Sequence, residues 1–230
     1  MTISPNTISQ AQIERAIDTT ADTVIRNEHY FSDLDGLAGD GDFGTSLATG
    51  FKVIKRDLPT IEAADIGAML LKLSMIVSKH VGGSSGPIWG TGFMKAAMQA
   101  KGKTEVTLEE LTAMVGAAVD GIMARGGAAR GDKTLLDALI PIRETMEAQC
   151  TSAAPADLLE ACAKEADKAI DDTRHLVAHR GRASQVGERS ANTPDPGIVA
   201  IATILHDWCA AFGIAHEAQA AELNKATAPA

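Results

Sequence analysis

A chain of 230 residues is long enough to bury one full hydrophobic core, or two small ones at most. Hydrophobic residues at 45% and charged residues at 22% exclude a disordered polymer. With 21 Lys and Arg against 30 Asp and Glu, the net charge of −9 argues against a nucleic-acid or anionic-membrane surface.

Cys150, Cys162 and Cys209 stand at no metal-type spacing and read as free thiols of a reducing compartment. No cationic stretch followed by an apolar one opens the sequence. The longest apolar run, 68–77, is broken by Lys72 and is too short to span a bilayer. The expectation is a soluble cytoplasmic protein.

In chain order, Ile13, Ile17, Ala21, Val24 and Ile25 recur at helical spacing behind a capping-box pattern at Thr7 and Gln10. A glycine- and aspartate-rich loop follows, and then a helix over 45–57. Met69, Leu70, Leu73, Ile76 and Val77 mark the next apolar stripe, and a helix over 87–101 comes after it. Thr107 and Glu110 form a second capping-box pattern ahead of Leu108, Leu111, Met114, Val115, Ala118 and Ile122. Helices over 134–148, 155–178 and 196–213 complete the chain. Pro87, Pro155 and Pro196 each suit a first helical turn. Nothing alternates with period two, and with aromatics at 3% the core must be Ala, Leu, Ile, Val and Met. The reading is one all-α domain over 1–230 with roughly eight helices. Thr151 to Ala156 is read as an interhelical loop.

Three glycine patterns fail on context. Gly39 to Gly44 has the spacing of a dinucleotide loop, but a helix rather than a strand precedes it. Gly82 to Gly86 matches a hydrolase nucleophile elbow, again without its strand. Gly126 and Gly131 have the gap of a P-loop, but Asp132 interrupts the motif before Lys133 and Thr134. An EF-hand also fails, because Gly44 or Phe51 falls where its bidentate Glu must be.

A physical theme survives them. Gly44-Thr45-Ser46, Gly83 to Gly86, and Asp195-Pro196-Gly197 all sit at the starts of helices, where free N–H groups and the helix dipole favour phosphate. Taken singly, each is more readily an ordinary cap. The carboxylates add the chemistry. Asp33, Asp35, Asp40 and Asp42 crowd ten residues with no cation before Lys52. Such hard oxygens on a turn suit Mg²⁺, whose octahedron phosphates complete. Arg174, Arg180, Arg182 and Arg189 make 174–189 locally basic, and an Arg beside such a site can neutralise phosphoryl charge. A solvated helix end explains that basic run equally well. His175 and His179, at i and i+4, lack a third ligand and read as surface histidines.

Together these residues resemble a known family. Asp35, with Gly39 to Asp42 and Gly44-Thr45, is similar to the metal loop of the DhaL family, the nucleotide-binding subunit or domain of dihydroxyacetone kinases. GGSSGPIWGTGF (82–93), GDKTLLDALIP (131–141), GRASQVGERS (181–190) and PDPG (194–197) resemble it in the same order. The resemblance implies an antiparallel eight-helix barrel capped at one end by ADP or ATP. It implies that Asp35, Asp40 and Asp42 ligate two Mg²⁺, and that Thr45, Ser46, Ser84 and Ser85 meet phosphates, in the loop that also holds Phe43 and Gly44. Gly126, Leu135 and the Asp195-Pro196-Gly197 turn would border the nucleoside, and Arg182 would clamp phosphate as the catalytic cation. Phe43 stands where the family usually has His, Leu135 where Met is common, Gln185 where Tyr is common and Thr193 where His is common.

The activity implied is phosphoryl transfer to a short ketose held covalently on a separate K-type subunit. The expectation is therefore half an enzyme, recharged by a phosphocarrier M subunit or supplied with ATP. A nucleotide-loaded regulator acting on a transcription factor is the alternative.

Overall fold

The computed structural model describes residues 7–226. Its helices are α1 (Gln10–Arg26), α2 (Glu28–Gly36), α3 (Phe43–Asp57), α4 (Ile66–His80), α5 (Ser85–Gln99), α6 (Leu108–Gly126), α7 (Leu136–Gln149), α8 (Pro155–Arg174), α9 (Pro196–Ala211) and α10 (Ala221–Ala226). Short 3-10 segments cover Leu58–Thr60 and Ala183–Ser190. The all-α expectation holds, with one small exception. β1 (Thr7–Ser9) pairs antiparallel with β2 (Glu105–Thr107), Thr7 opposite Thr107 and Ile8 opposite Val106. Three-residue strands are too short to show alternation.

That ladder also corrects the first cap. Thr7 is held in β1, so the capping box falls two residues later. The Ser9 hydroxyl accepts from the Gln12 N–H at 3.3 Å, and the Gln12 side chain accepts from the Ser9 N–H at 2.9 Å. The second box is where the sequence puts it, with Thr107 accepting from Glu110 N–H at 3.2 Å. The expected extension of α8 to residue 178 fails, because the helix stops at Arg174.

The eight longer helices close a ring. α1 lies beside α3, each later helix packs on the next through α9, and α9 returns to α1. Polar contacts fix antiparallel pairing around it. Lys55 on α3 bridges Asp18 and Asp22 of α1, while Lys52 reaches back to Glu28. Ser74 Oγ of α4 donates to the Gly90 carbonyl of α5 at 2.9 Å. Trp208 Nε1 of α9 donates to Ala16 O of α1 at 2.8 Å, and Asp207 accepts from Thr23 further along. α2 is an added short helix against α3 and α9. Residues 29–33 belong to it and do not trail out of α1. Asn27, buried, separates the two by donating its side chain to Thr23 O at 2.9 Å.

One core cluster collects Leu47, Phe51, Leu73 and Val77, and another Phe31, Ile170, Ile198 and Val199. Phe43, Trp89, Leu111 and Trp208 pack against both. Phe31 and Phe51 are also fully buried, so the core is not confined to the Ala, Leu, Ile, Val and Met expected from the sequence, and cutting either to Ala would cost about 3–5 kcal/mol. Cys162 and Cys209 are buried free thiols, pushed up by burial to about 12 and about 11. Among the described residues no helix is long and apolar enough to cross a membrane.

Candidate metal and phosphate site

The last turn of α2 and the first of α3 carry the acidic loop. Asp35, Asp40 and Asp42 each present a carboxylate oxygen within 4.8 Å of the others. Asp35 is fixed from beneath, because its Oδ2 accepts the N–H groups of Asp42 at 3.1 Å and Phe43 at 3.3 Å. Burial pushes its carboxyl above the usual range, the Phe43 amide opposes that rise, and the charge of Asp40 adds to it. Asp40 and Asp42 are exposed. One half-buried oxygen donor and two open ones, all hard, fit a Mg²⁺-type cation that keeps positions for other oxygens.

Local packing explains how the loop is held. A Cβ at Gly44 would sit 2.0 Å from the Glu28 carbonyl oxygen and 2.7 Å from Ser32 N, so only glycine lets α3 begin against α2. Ser32 Oγ then accepts the Thr45 N–H at 3.2 Å. Phe43 turns inward, its ring 6.3 Å from that of Phe31. The residue that departs from the family pattern thus serves the core.

The other sequence-predicted positions gather at the same end of the ring. A Cβ on Gly82 would come 2.8 Å from Ser46 Oγ, which sets the turn before Ser84 and Ser85 beside the start of α3. Gly126 lies at the end of α6 against Ile88 in the first turns of α5. Gly197 packs on Leu135, whose N would be 3.4 Å from an added Cβ. Asp195 caps α9, accepting the Ile198 N–H at 2.9 Å, with Pro196 in the first turn. A narrow crevice lined by Asp35, Gly39, Lys133, Asp195 and Pro196 joins the acidic loop to this turn.

Of the basic run, Arg182 alone reaches the loop, its Nε 3.0 Å from Asp40 Oδ2. Arg174 pairs with Glu222 of α10 and Arg180 with Asp132. His175 and His179 are exposed. Among the described residues the aspartate trio is the one group of three or more His, Cys, Asp or Glu placed to hold a metal.

Two supporting residues, Lys133 and Asp137, escape sequence reasoning, and a third, Asp195, is singled out there only as part of a helix-start turn. Lys133, 3% exposed and at φ 61°, donates its Nζ to the carbonyls of Arg174, Leu176 and Ser190 at 2.6–3.0 Å, which pins the Arg182-bearing segment. Asp137, buried, accepts from the Gly131 and Thr134 N–H groups and shapes the loop around Lys133. Asp195 has its carboxyl pushed up to about 7, chiefly by burial, with the Ile198 amide opposing. Lys133 and Asp137 lie in the 131–141 block, whose spacing alone gives no hint of their roles, whereas Asp195 caps α9 at the helix start that the sequence marks.

The sequence matches the DAK2 domain over residues 37–210. It is 35% identical over 195 residues to the ADP-binding subunit DhaL of the PEP-dependent dihydroxyacetone kinase of Escherichia coli K12, spanning 84% of this chain and 93% of that one. A Listeria innocua subunit of the same description is 36% identical, covering 75% of this chain and 81% of its own. The rat triokinase/FMN cyclase is 32% identical, but the match spans only 34% of its length. Among solved structures, the dihydroxyacetone kinase of C. freundii superposes with a TM-score of 0.68 at 21% identity, over 89% of this chain and 35% of that one. The present chain thus spans about a third of that structure's chain.

Proposed function

Because the chain belongs to the DAK2 domain family, we propose that it is the nucleotide-binding half of a short-chain ketose kinase. It binds ADP or ATP through two Mg²⁺ ions and passes the terminal phosphoryl to a ketose held on a separate K-type subunit. The observation that carries this reading is the acidic trio flanked by helix starts, with Arg182 at its edge. The subunits that this chain covers most fully are ADP-binding ones of PEP-dependent enzymes. They favour a bound ADP recharged by a phosphocarrier M subunit over free exchange with ATP.

Asp35, Asp40 and Asp42 would hold Mg²⁺, which would supply positive charge to offset that developing on the transferred group. The rest falls to the chain. Asp35, locked by two amides, holds its oxygen in one direction, while exposed Asp40 and Asp42 can turn toward a cation. The first turns of α3 and α5, with Thr45, Ser46, Ser84 and Ser85, offer amides and hydroxyls to phosphate oxygens. Gly126, Leu135 and the Asp195-Pro196-Gly197 turn border the nucleoside. Arg182, released from Asp40, clamps the transferring phosphoryl. Phe43 offers no polar contact there.

The test is reconstitution. Nucleotide-loaded chain should phosphorylate dihydroxyacetone only when a K-type subunit is added, and a native mass spectrum should show retained ADP. Turnover by the chain alone would contradict the division of labour. No turnover in the loaded mixture would contradict the kinase reading.

A further inference from the structure

The outer face of α4 and α5 carries a surface that the phosphoryl-transfer site does not use. Of the exposed large apolar side chains among the described residues, Leu71, Met75, Met94 and Met98 all lie on these two adjacent helices, with Met75 59% and Met98 64% exposed. Leu71 and Met75 are one turn apart on α4, as are Met94 and Met98 on α5. The antiparallel contact at Ser74 and Gly90 brings the two stripes side by side. Lys79 continues the α4 stripe one turn beyond Met75, and Lys101 follows the α5 stripe beyond Met98. Among the described residues neither lysine makes a salt bridge, and neither does Lys95 beside them. Residues 66–104 hold five Lys and no Asp or Glu, in a chain of net charge −9. Charge segregation on this scale is not needed for a solvated helix face.

We propose that the α4–α5 face docks an acidic amphipathic helix of a partner protein, its apolar stripe on the Leu and Met side chains and its carboxylates on Lys79 and Lys101. Flexible Met side chains adapt to an apolar partner surface, and a helix laid along a two-helix groove is a recurrent mode of recognition. Because the helices run antiparallel, the two lysines stand at opposite ends of the groove, roughly 20 Å apart at about 1.5 Å of rise per residue. About four turns of partner helix span that distance. A second copy of this face is a poor occupant, since a two-fold contact would set lysine against lysine. An anionic bilayer is disfavoured by the acidity of the rest of the chain.

The probe is a synthetic amphipathic helix of about 18 residues, with a Leu stripe flanked by Glu, titrated against the full nucleotide-loaded chain. Its counterpart carries Lys in place of every Glu. The Glu peptide should bind at least about tenfold more tightly than the Lys peptide. Met75→Ser with Met98→Ser, and separately Lys79→Glu with Lys101→Glu, should each weaken it by about tenfold or more. These sites are exposed, so melting temperature and nucleotide retention should not change. Equal affinity for both peptides, or unchanged affinity in either variant, would overturn the proposal. So would dimerisation of the free chain abolished by Met75→Ser/Met98→Ser. Sedimentation with phosphatidylserine-containing vesicles, without peptide binding, would also overturn it in favour of a membrane surface.

Discussion

Arg182 Nε stands 3.0 Å from Asp40 Oδ2, so a side-chain cation already occupies the edge of the acidic trio. Both side chains are largely exposed, at 64% and 41%, and such a pair is worth roughly 0–1 kcal/mol. It is therefore cheap to break once a metal or phosphate competes for either partner.

Arg182→Gln should accordingly leave folding and nucleotide retention nearly unchanged. Transfer to the ketose should fall by about a hundredfold or more, since a cation on the transferring group contributes on that scale. Steady-state assays of the reconstituted pair would place the loss in kcat. A loss confined to KM would assign Arg182 to binding alone.

Asp40→Asn or Asp42→Asn should keep the helical content and abolish Mg²⁺-dependent nucleotide binding. Removing one crowded like charge relieves the empty protein and deprives a cation of a ligand. Circular dichroism with nucleotide titration at fixed Mg²⁺ checks both halves. Wild-type affinity in both variants would sink the metal assignment.

Lys133→Met should act through the fold. It removes three hydrogen bonds to the carbonyls of Arg174, Leu176 and Ser190 and leaves them facing an apolar tip. A loss on the order of 3 kcal/mol is expected in urea unfolding. Amide exchange should quicken most over 176–192. Uniform quickening across all helices would mean that Lys133 does not pin this segment specifically.

Asp195 makes the stability of the empty chain depend on pH. Its folded pKa of about 7 lies above the ordinary carboxylate value. The protonated form is the better tolerated one, so its full contribution is present below about pH 4 and is lost as pH rises through about 7. Asp195→Asn keeps an oxygen to cap Ile198 N–H but cannot ionise. The variant should flatten that decline and, at pH 8, be the more stable of the two. Parallel pH profiles for the two proteins would contradict this.

These residues also show where sequence reasoning reaches. The helices were legible from 3.6-residue periodicity and from the box at Thr107 and Glu110, because apolar stripes and caps are local signals. Asp35, Asp40 and Asp42 were legible because crowded like charges within ten residues need a compensating partner. β1 escaped because its pairing with β2 joins segments about a hundred residues apart, and α2 escaped because a single buried Asn27 separates it from α1. Lys133 and Asp137 escaped because their partners are backbone groups, which leave no mark in side-chain pattern. The placement of Arg182 rather than Arg180 at the loop was settled by tertiary structure, since Asp132 takes Arg180.

The central claim is that phosphate reaches the aspartates through metal. Its most direct test is a melting series on nucleotide-stripped protein with EDTA, Mg²⁺, ADP with EDTA, and ADP with Mg²⁺. ADP with Mg²⁺ should raise the unfolding free energy by about 2.7 kcal/mol at a hundredfold excess over its dissociation constant. Mg²⁺ alone should help little, because phosphates complete its coordination. ADP with EDTA should not stabilise, since its phosphates would face Asp35, Asp40 and Asp42 unscreened. If ADP stabilises as much in EDTA as in Mg²⁺, the aspartates do not hold the nucleotide through metal, and the account is wrong.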